Sequence, residues 1–215
     1  MLASGRGSNL QALIDAIGSG ALQATLVGVF SDKPDAIALQ RARCAQVPAV
    51  ALRPRDHATR AQFDEHLFSC IDAVQPDVIV FAGYMRLVSE REVQSHAGRI
   101  LNIHSSLLPA FKGLRTHEQA LAAGVGEHGA SVHVVSAQLD GGQVIAQARV
   151  AVLAGDDAAT LGQRVLAREH PLLVQTLQWL GIGRLAFDGT SMALDGLALE
   201  RPLQLDARDQ LVVQG

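Results

Sequence analysis

Three short stretches of this chain carry residue types that do chemistry. The first is Arg99-Ile100-Leu101-Asn102-Ile103-His104-Ser105-Ser106-Leu107-Leu108-Pro109. Its polar and apolar residues alternate, so a strand would set Asn102 and His104 on one face and Leu101 and Ile103 on the other. An amide supplies a neutral hydrogen-bond donor, and an imidazole gains or loses a proton near neutrality. Side by side they can hold a carbonyl oxygen while negative charge builds on it. The second stretch contains Leu139-Asp140-Gly141-Gly142, which reads as a tight turn presenting an exposed carboxylate. The third, Ser4-Gly5-Arg6-Gly7-Ser8-Asn9, opens a helical pattern. Backbone N–H groups freed at a helix N-terminus form an anion site, and glycines let a phosphate come close.

Each stretch also has a plainer reading. Asn102 and His104 also fit a pair of satisfied polar residues at a strand end, and composition and spacing alone slightly favour that reading. The glycine loop fits an ordinary strand-to-helix turn; it lacks the Lys-Ser/Thr of an ATP-binding P-loop and the full Gly-x-Gly-x-x-Gly of dinucleotide binders. Tyr84-Met85-Arg86-Leu87-Val88 follows an apolar run directly and is read either as pocket lining or as core.

Elements must hold these stretches in place. After the glycine loop, Leu10, Leu13, Ile14 and Ile17 share a helical face that Ser8 or Asn9 can cap. Residues 25–30 and 48–52 read as strands, 34–46 and 59–74 as helices. The near-continuous apolar run Asp77-Val78-Ile79-Val80-Phe81-Ala82-Gly83 marks a strand covered on both faces. Regular alternation of strand and helix predicts an α/β fold, a doubly wound, mostly parallel sheet of Rossmann type. A short helix over 89–94 leads into the Asn102/His104 strand. Beyond Pro109 come a loop, a short helix capped at Thr116, and a glycine-marked loop over 124–129; these could form a flexible cover. Residues 130–135 and 144–152 read as a hairpin around Asp140, and 160–180 as the longest helix, kinked at Pro171. The tail reads as a C-terminal β-ribbon, residues 184–187 and 191–194, split by Asp188-Gly189.

Composition narrows the class. The chain has 215 residues, of which 48% are hydrophobic, enough for one domain with a sizeable core. A net charge of −3 and scattered arginines give no basic stripe for nucleic acid. No stretch has the apolar length of a membrane helix and no signal-peptide pattern opens the chain, so a cytoplasmic protein is expected. Cys44 and Cys70 read as two buried thiols. The histidines show no His-x-x-x-His spacing and no cysteine cluster, so no metal is expected; His57, His66 and His96 read as surface residues. Ser105 and Ser106 lack the elbow of a serine nucleophile.

The order of these pieces resembles the formyltransferase family that uses 10-formyltetrahydrofolate. The resemblance runs from Ser4 to about Gly183 and rests on the Gly5–Asn9 loop, Phe30-Ser31, Pro76-Asp77-Val78, Ala82 to Arg86, the Asn102/His104 motif, Gly113-Leu114 with Thr116-His117, Gly129 with Ser131-Val132-His133, Leu139 to Gly142, and Glu169-His170. It implies Asn102, His104 and Asp140 as the catalytic groups, with Asp140 positioning His104 and favouring its charged form. It implies the Gly7, Ser8 and Asn9 backbone on a ribose phosphate and Glu169 on another polar group of the acceptor. Arg60, Tyr84, Met85, Arg86, Leu87, Val88, Val135 and Leu139, with Asn102 and Asp140, would hold the folate. The loop and the short length point to the member whose acceptor is the amine of glycinamide ribonucleotide, in purine synthesis. The implied partners are these two small molecules, with neither nucleic acid nor membrane, and a monomer or homodimer. A hydrolase acting on the same folate, and a non-catalytic nucleotide- or folate-binding module, are the alternatives. The resemblance implies a single domain over 1–215, with a nucleotide-phosphate half over 1–98 and a folate and catalytic half over 99–215.

Three departures stand out. Only Met1, Leu2 and Ala3 precede the glycine loop, so the first strand is expected to bury little. Ser105 stands where the family has Pro, and Pro171 directly follows His170. Neither of these last two changes is expected to touch a group with a chemical role.

Overall fold

The computed structural model describes residues 1–187 and 191–213. The chain runs α1 (Ser8–Gly18), β1 (Val29–Ser31), α2 (Ile37–Cys44), β2 (Ala49–Ala51), α3 (Arg60–Asp72), β3 (Ile79–Ala82), α4 (Glu90–Ser95), β4 (Ile100–His104), α5 (Thr116–Ala122), β5 (Glu127–Val134), β6 (Val144–Ala151) and α6 (Ala158–Gly181). The tail adds β7 (Leu185–Phe187), β8 (Met192–Leu194), β9 (Leu197–Ala198), β10 (Leu203–Leu205) and β11 (Leu211–Val212).

β1 pairs with β2, and β3 with β4, both in parallel. The opening residues join these pairs. The Leu2 N–H donates to the Val80 carbonyl at 2.8 Å, and the Ala82 and Ala3 N–H groups donate to Leu2 and Phe30 at 3.1 Å each. Leu2 is fully buried between Phe30 and Phe81. The expectation of a weak first strand is therefore corrected: the run is short, but its backbone is bonded on both sides.

From β4 onward the sheet changes sense. β5 runs antiparallel to β4 and β6 antiparallel to β5, the expected hairpin, with a bulge between Val132 and His133. β10 then lies parallel to β6 and β11 closes that edge. The ribbon expected in the tail is a three-stranded sheet, β7-β8-β9. The Asp188-Gly189 turn lies outside the described residues.

Both sheet faces are covered, as the apolar run of β3 requires. Val80, Ala82, Leu101 and Ile103 pack with Leu13, Leu161, Val165, Leu172 and Leu173 of α1 and α6. Ile79, Phe81 and Ile100 pack on the other side with Phe63, Leu67, Phe68 and Ile71 of α3. Each such buried Val, Leu, Ile or Phe side chain adds roughly 1.5–3 kcal/mol. α6 carries on through Pro171, which removes one backbone donor from its ladder.

Several local expectations change. Neither Ser8 nor Asn9 caps α1: its N-cap is Gly7, at φ 68°. Likewise Arg115, at φ 56°, precedes α5, and the Thr116 hydroxyl instead donates to the Ser105 carbonyl at 2.6 Å. Gly129 lies inside β5, not in a loop. Cys44 is exposed and Cys70 half-buried. His96 is buried, bonded to Asp72 and to the Glu92 carbonyl.

Candidate active site

β4 carries Asn102 and His104 on the same side as Ile100, at the end of the strand. In register, Asn102 faces His133 and His104 faces Ser131 of β5. The Asn102 amide nitrogen lies 3.0 Å from His133 Nε2. His133 Nδ1 lies 3.0 Å from the Val134 carbonyl. A carbonyl only accepts, so the ring proton sits on Nδ1, and Nε2 accepts from the amide. Burial holds the His133 pKa below its usual value, against the pull of the Val134 carbonyl and Asp140. A neutral His133 thus orients the Asn102 amide, and among the described residues no other acceptor meets its second N–H. Sequence reasoning gave His133 no role; the alternation of Ser131, Val132 and His133 beside the Asn102 strand was its signal.

Asp140 lies between the two rings. Its carboxylate oxygens are 3.7 Å from His104 Nδ1 and 3.7 Å from His133 Nε2. The turn expected to expose this carboxylate instead buries it, leaving the side chain 10% exposed. Asp140 adopts φ 44°, which Asp tolerates better than most residues. Gly142 must be glycine: a Cβ there would lie 1.8 Å from the Val134 carbonyl oxygen. That close approach folds the turn back over β4.

The loop after β4 supplies backbone partners to both groups. His104 Nε2 lies 3.1 Å from the Phe111 carbonyl, and the Gly113 N–H donates to Asp140 Oδ2 at 2.8 Å. Behind Phe111 stand two more rings. His117 Nδ1 lies 3.0 Å from His128 Nε2, and the Phe111 ring meets His128 edge-on. Burial pushes the His128 pKa down to about 4, and that of His117 below its usual value.

The glycine loop approaches the same strand end. Asn9, in the first turn of α1, donates from Nδ2 to Glu169 Oε2 at 2.9 Å. Ser105 Oγ donates to Glu169 Oε1 at 2.8 Å. Gly7 serves packing: a Cβ there would lie 2.7 Å from the Ala38 Cβ. Gly5, exposed, has nothing within 4 Å of where its Cβ would be and is the residue open to a ligand. Beyond it, residues 32–37 and 53–55 enclose a cavity of about 640 Å³ with Ser4, Gly5 and Arg6.

The expected folate residues divide. Tyr84 is buried in the core under α3, with its ring 5.4 Å from that of Phe81. Arg86 stacks over Phe63 at 5.2 Å. Met85, Leu87 and Leu139 are 59%, 57% and 51% exposed, apolar side chains open to a ligand, with Val88 and Val135 half-buried. The buried Asp64 accepts from the Ser89 N–H at 2.8 Å, which ties this segment to α3. Arg60 is exposed at the start of α3, and no described contact joins it to Asn102, His104 or Asp140.

Residues 1–177 match the family model described as formyl transferase. Phosphoribosylglycinamide formyltransferase of Escherichia coli is 46% identical over 93% of this chain and 94% of its own length. The Haemophilus influenzae protein of the same name is 37% identical over 94% and 95%. A solved phosphoribosylglycinamide formyltransferase from Coxiella burnetii superposes with a TM-score of 0.88 at 43% identity, covering 92% of this chain and 93% of that one. An amide and an imidazole at one strand end, a carboxylate folded over them and a match across four-fifths of the sequence agree: this chain belongs to the formyl transferase family.

Proposed function

We propose that this protein transfers a formyl group from 10-formyltetrahydrofolate to the primary amine of glycinamide ribonucleotide, the formyl transfer of purine biosynthesis. The observation that carries the reading is the Asn102 amide, held by His133 with one N–H unspent, beside His104 and Asp140. Its names come from the relatives; its chemistry comes from these groups.

The acceptor amine attacks the formyl carbon, forming a C–N bond, and the carbonyl electrons move onto oxygen. The free N–H of Asn102 and an N–H of His104 donate to that oxygen. Asp140, 3.7 Å from the His104 Nδ1, takes the proton the amine must lose, directly or through a water. The bond from carbon to the folate nitrogen then breaks, and that nitrogen is reprotonated. Met85, Leu87, Val88, Val135 and Leu139 offer an apolar strip suited to the flat rings of the folate. Gly5 to Asn9 offer backbone N–H groups to the acceptor's phosphate, and Glu169 a carboxylate to its polar groups. In this reading residues 1–98 hold mainly the nucleotide and 99–215 mainly the folate and the reacting atoms.

The test follows the folate spectrum during incubation of 10-formyltetrahydrofolate with the protein, with and without glycinamide ribonucleotide. Loss of the formyl group only with the amine supports transfer. Loss with water alone means a hydrolase, and binding without turnover means a module that carries no reaction.

A further inference from the structure

Glu169 is 6% exposed in the middle of α6, and its two oxygens face different elements. One accepts from Asn9 in the first turn of α1, at 2.9 Å; the other accepts from Ser105, the residue after His104, at 2.8 Å. The Thr116 hydroxyl donates to the Ser105 carbonyl at 2.6 Å, which fixes the backbone from which that hydroxyl projects. A buried carboxylate needs such donors, because it has left water. Each donor takes one lone pair of one oxygen, so both oxygens still have a lone pair to offer. The titratable groups facing it are His117 of α5 and its own neighbour His170, both held below the usual histidine pKa by burial.

We propose that Ser105 is a positioning residue for the acceptor: its hydroxyl clamps the Glu169 carboxylate against Asn9, fixing the acceptor-binding acid relative to the strand end that carries His104. A serine where its relatives are expected to have proline thus acquires a role in this chain. The proposal rests on the reading of Glu169 as a group that binds the acceptor. It places Ser105 outside the reacting atoms, so its effect falls on acceptor binding.

The experiment compares wild type, Ser105→Ala and Ser105→Thr in steady-state formyl transfer, alongside carbon-detected NMR of glutamate-labelled protein that follows the Glu169 carboxyl resonance. Ser105→Ala should raise KM for glycinamide ribonucleotide about tenfold, the effect of one hydrogen bond to a charged group. KM for the folate and kcat should change less than about twofold on the same ground. The Glu169 carboxyl resonance should move in Ser105→Ala, since the donor to Oε1 is gone. Ser105→Thr, which keeps the hydroxyl, should restore both values. Unchanged acceptor KM in Ser105→Ala, with an unmoved Glu169 carboxyl resonance, overturns the proposal; so does an equal loss in kcat and both KM values that Ser105→Thr fails to rescue. A wild-type protein that transfers no formyl group overturns the functional reading instead. The Glu169 carboxyl resonance then still reports whether Ser105 clamps the acid.

Discussion

Gly7→Ala should damage the fold more than it damages catalysis. Gly7 holds φ 68° as the residue preceding α1, where an L side chain strains the backbone by about 1–2 kcal/mol. The added methyl would also lie 2.7 Å from the Ala38 Cβ and 2.8 Å from its Cα, contacts that force something to move. Ala38 cannot retreat freely, because its N–H donates to the Gly5 carbonyl at 3.1 Å and its side chain is fully buried. Overpacking of this kind costs about 1–3 kcal/mol. The sum is roughly 2–5 kcal/mol, or a fall in Tm on the order of 5–15 °C for a chain of this size. The assay is thermal unfolding by calorimetry. Gly5→Ala is the contrast: its Cβ meets nothing within 4 Å. It should leave Tm within about 2 °C, as an exposed substitution does, while raising KM for the ribonucleotide. Adding Ala38→Gly to Gly7→Ala should recover only part of the packing share, because the 2.8 Å contact with the Cα of residue 38 remains and glycine inside a helix costs ~1 kcal/mol. A Gly7→Ala protein that melts within 2 °C of wild type, where about 2 °C is the bound set above, refutes the argument. So would a Gly5→Ala protein that melts as low as Gly7→Ala.

Asn102→Ala and His104→Ala should each lose about 10²–10³ in kcat with KM little changed, as removal of an oxyanion donor does; loss confined to KM would place these groups in binding alone. Asp140→Asn should lower kcat, and combined with His104→Ala should be scarcely worse than the poorer single variant, because the two act as a unit; multiplying losses would make Asp140 an independent group. His133→Phe, which removes the acceptor that orients Asn102, should lower kcat about tenfold or more, as loss of one hydrogen bond at a reacting group does; in the Asn102→Ala background it should do no further harm, and kinetics of the four proteins decide. His128 is fully buried and neutral, its pKa pushed by burial from 6.5 to about 4. The stability from keeping it neutral is complete above about pH 6.5 and is lost as pH falls toward 4, by up to about 3 kcal/mol. Tm measured across that window should fall less steeply in His128→Gln than in wild type; equal slopes would acquit His128.

The alternation of strands and helices, and the run over Ile79 to Ala82, were legible because burial on both faces demands apolar residues in sequence. Asn102 and His104 were legible as a pair for the same reason that a strand has two faces. What could not be read was distance across the chain. His133 meets Asn102 through the pairing of β4 with β5, and Glu169 meets Asn9 and Ser105 through packing of α6 on α1. Local spacing does not encode such contacts. The cap of α1 was misread because Ser and Asn are good caps, yet contact with Ala38 demanded glycine just before them. β10 and β11 escaped notice because each is only two or three residues long and takes its partner from β6 or from the other.

The Phe111 carbonyl and the Gly113 N–H sit on the two groups that would handle the proton, His104 and Asp140. In thermodynamic terms the loop is a tethered competitor for its own site. A molecule that needs the His104 Nε2 proton, or the Asp140 Oδ2 lone pair that the Gly113 N–H occupies, first displaces a backbone group. Its apparent dissociation constant is the intrinsic one divided by the fraction of protein whose loop has let go. A change at His128, behind the Phe111 ring, therefore enters the affinity through that fraction.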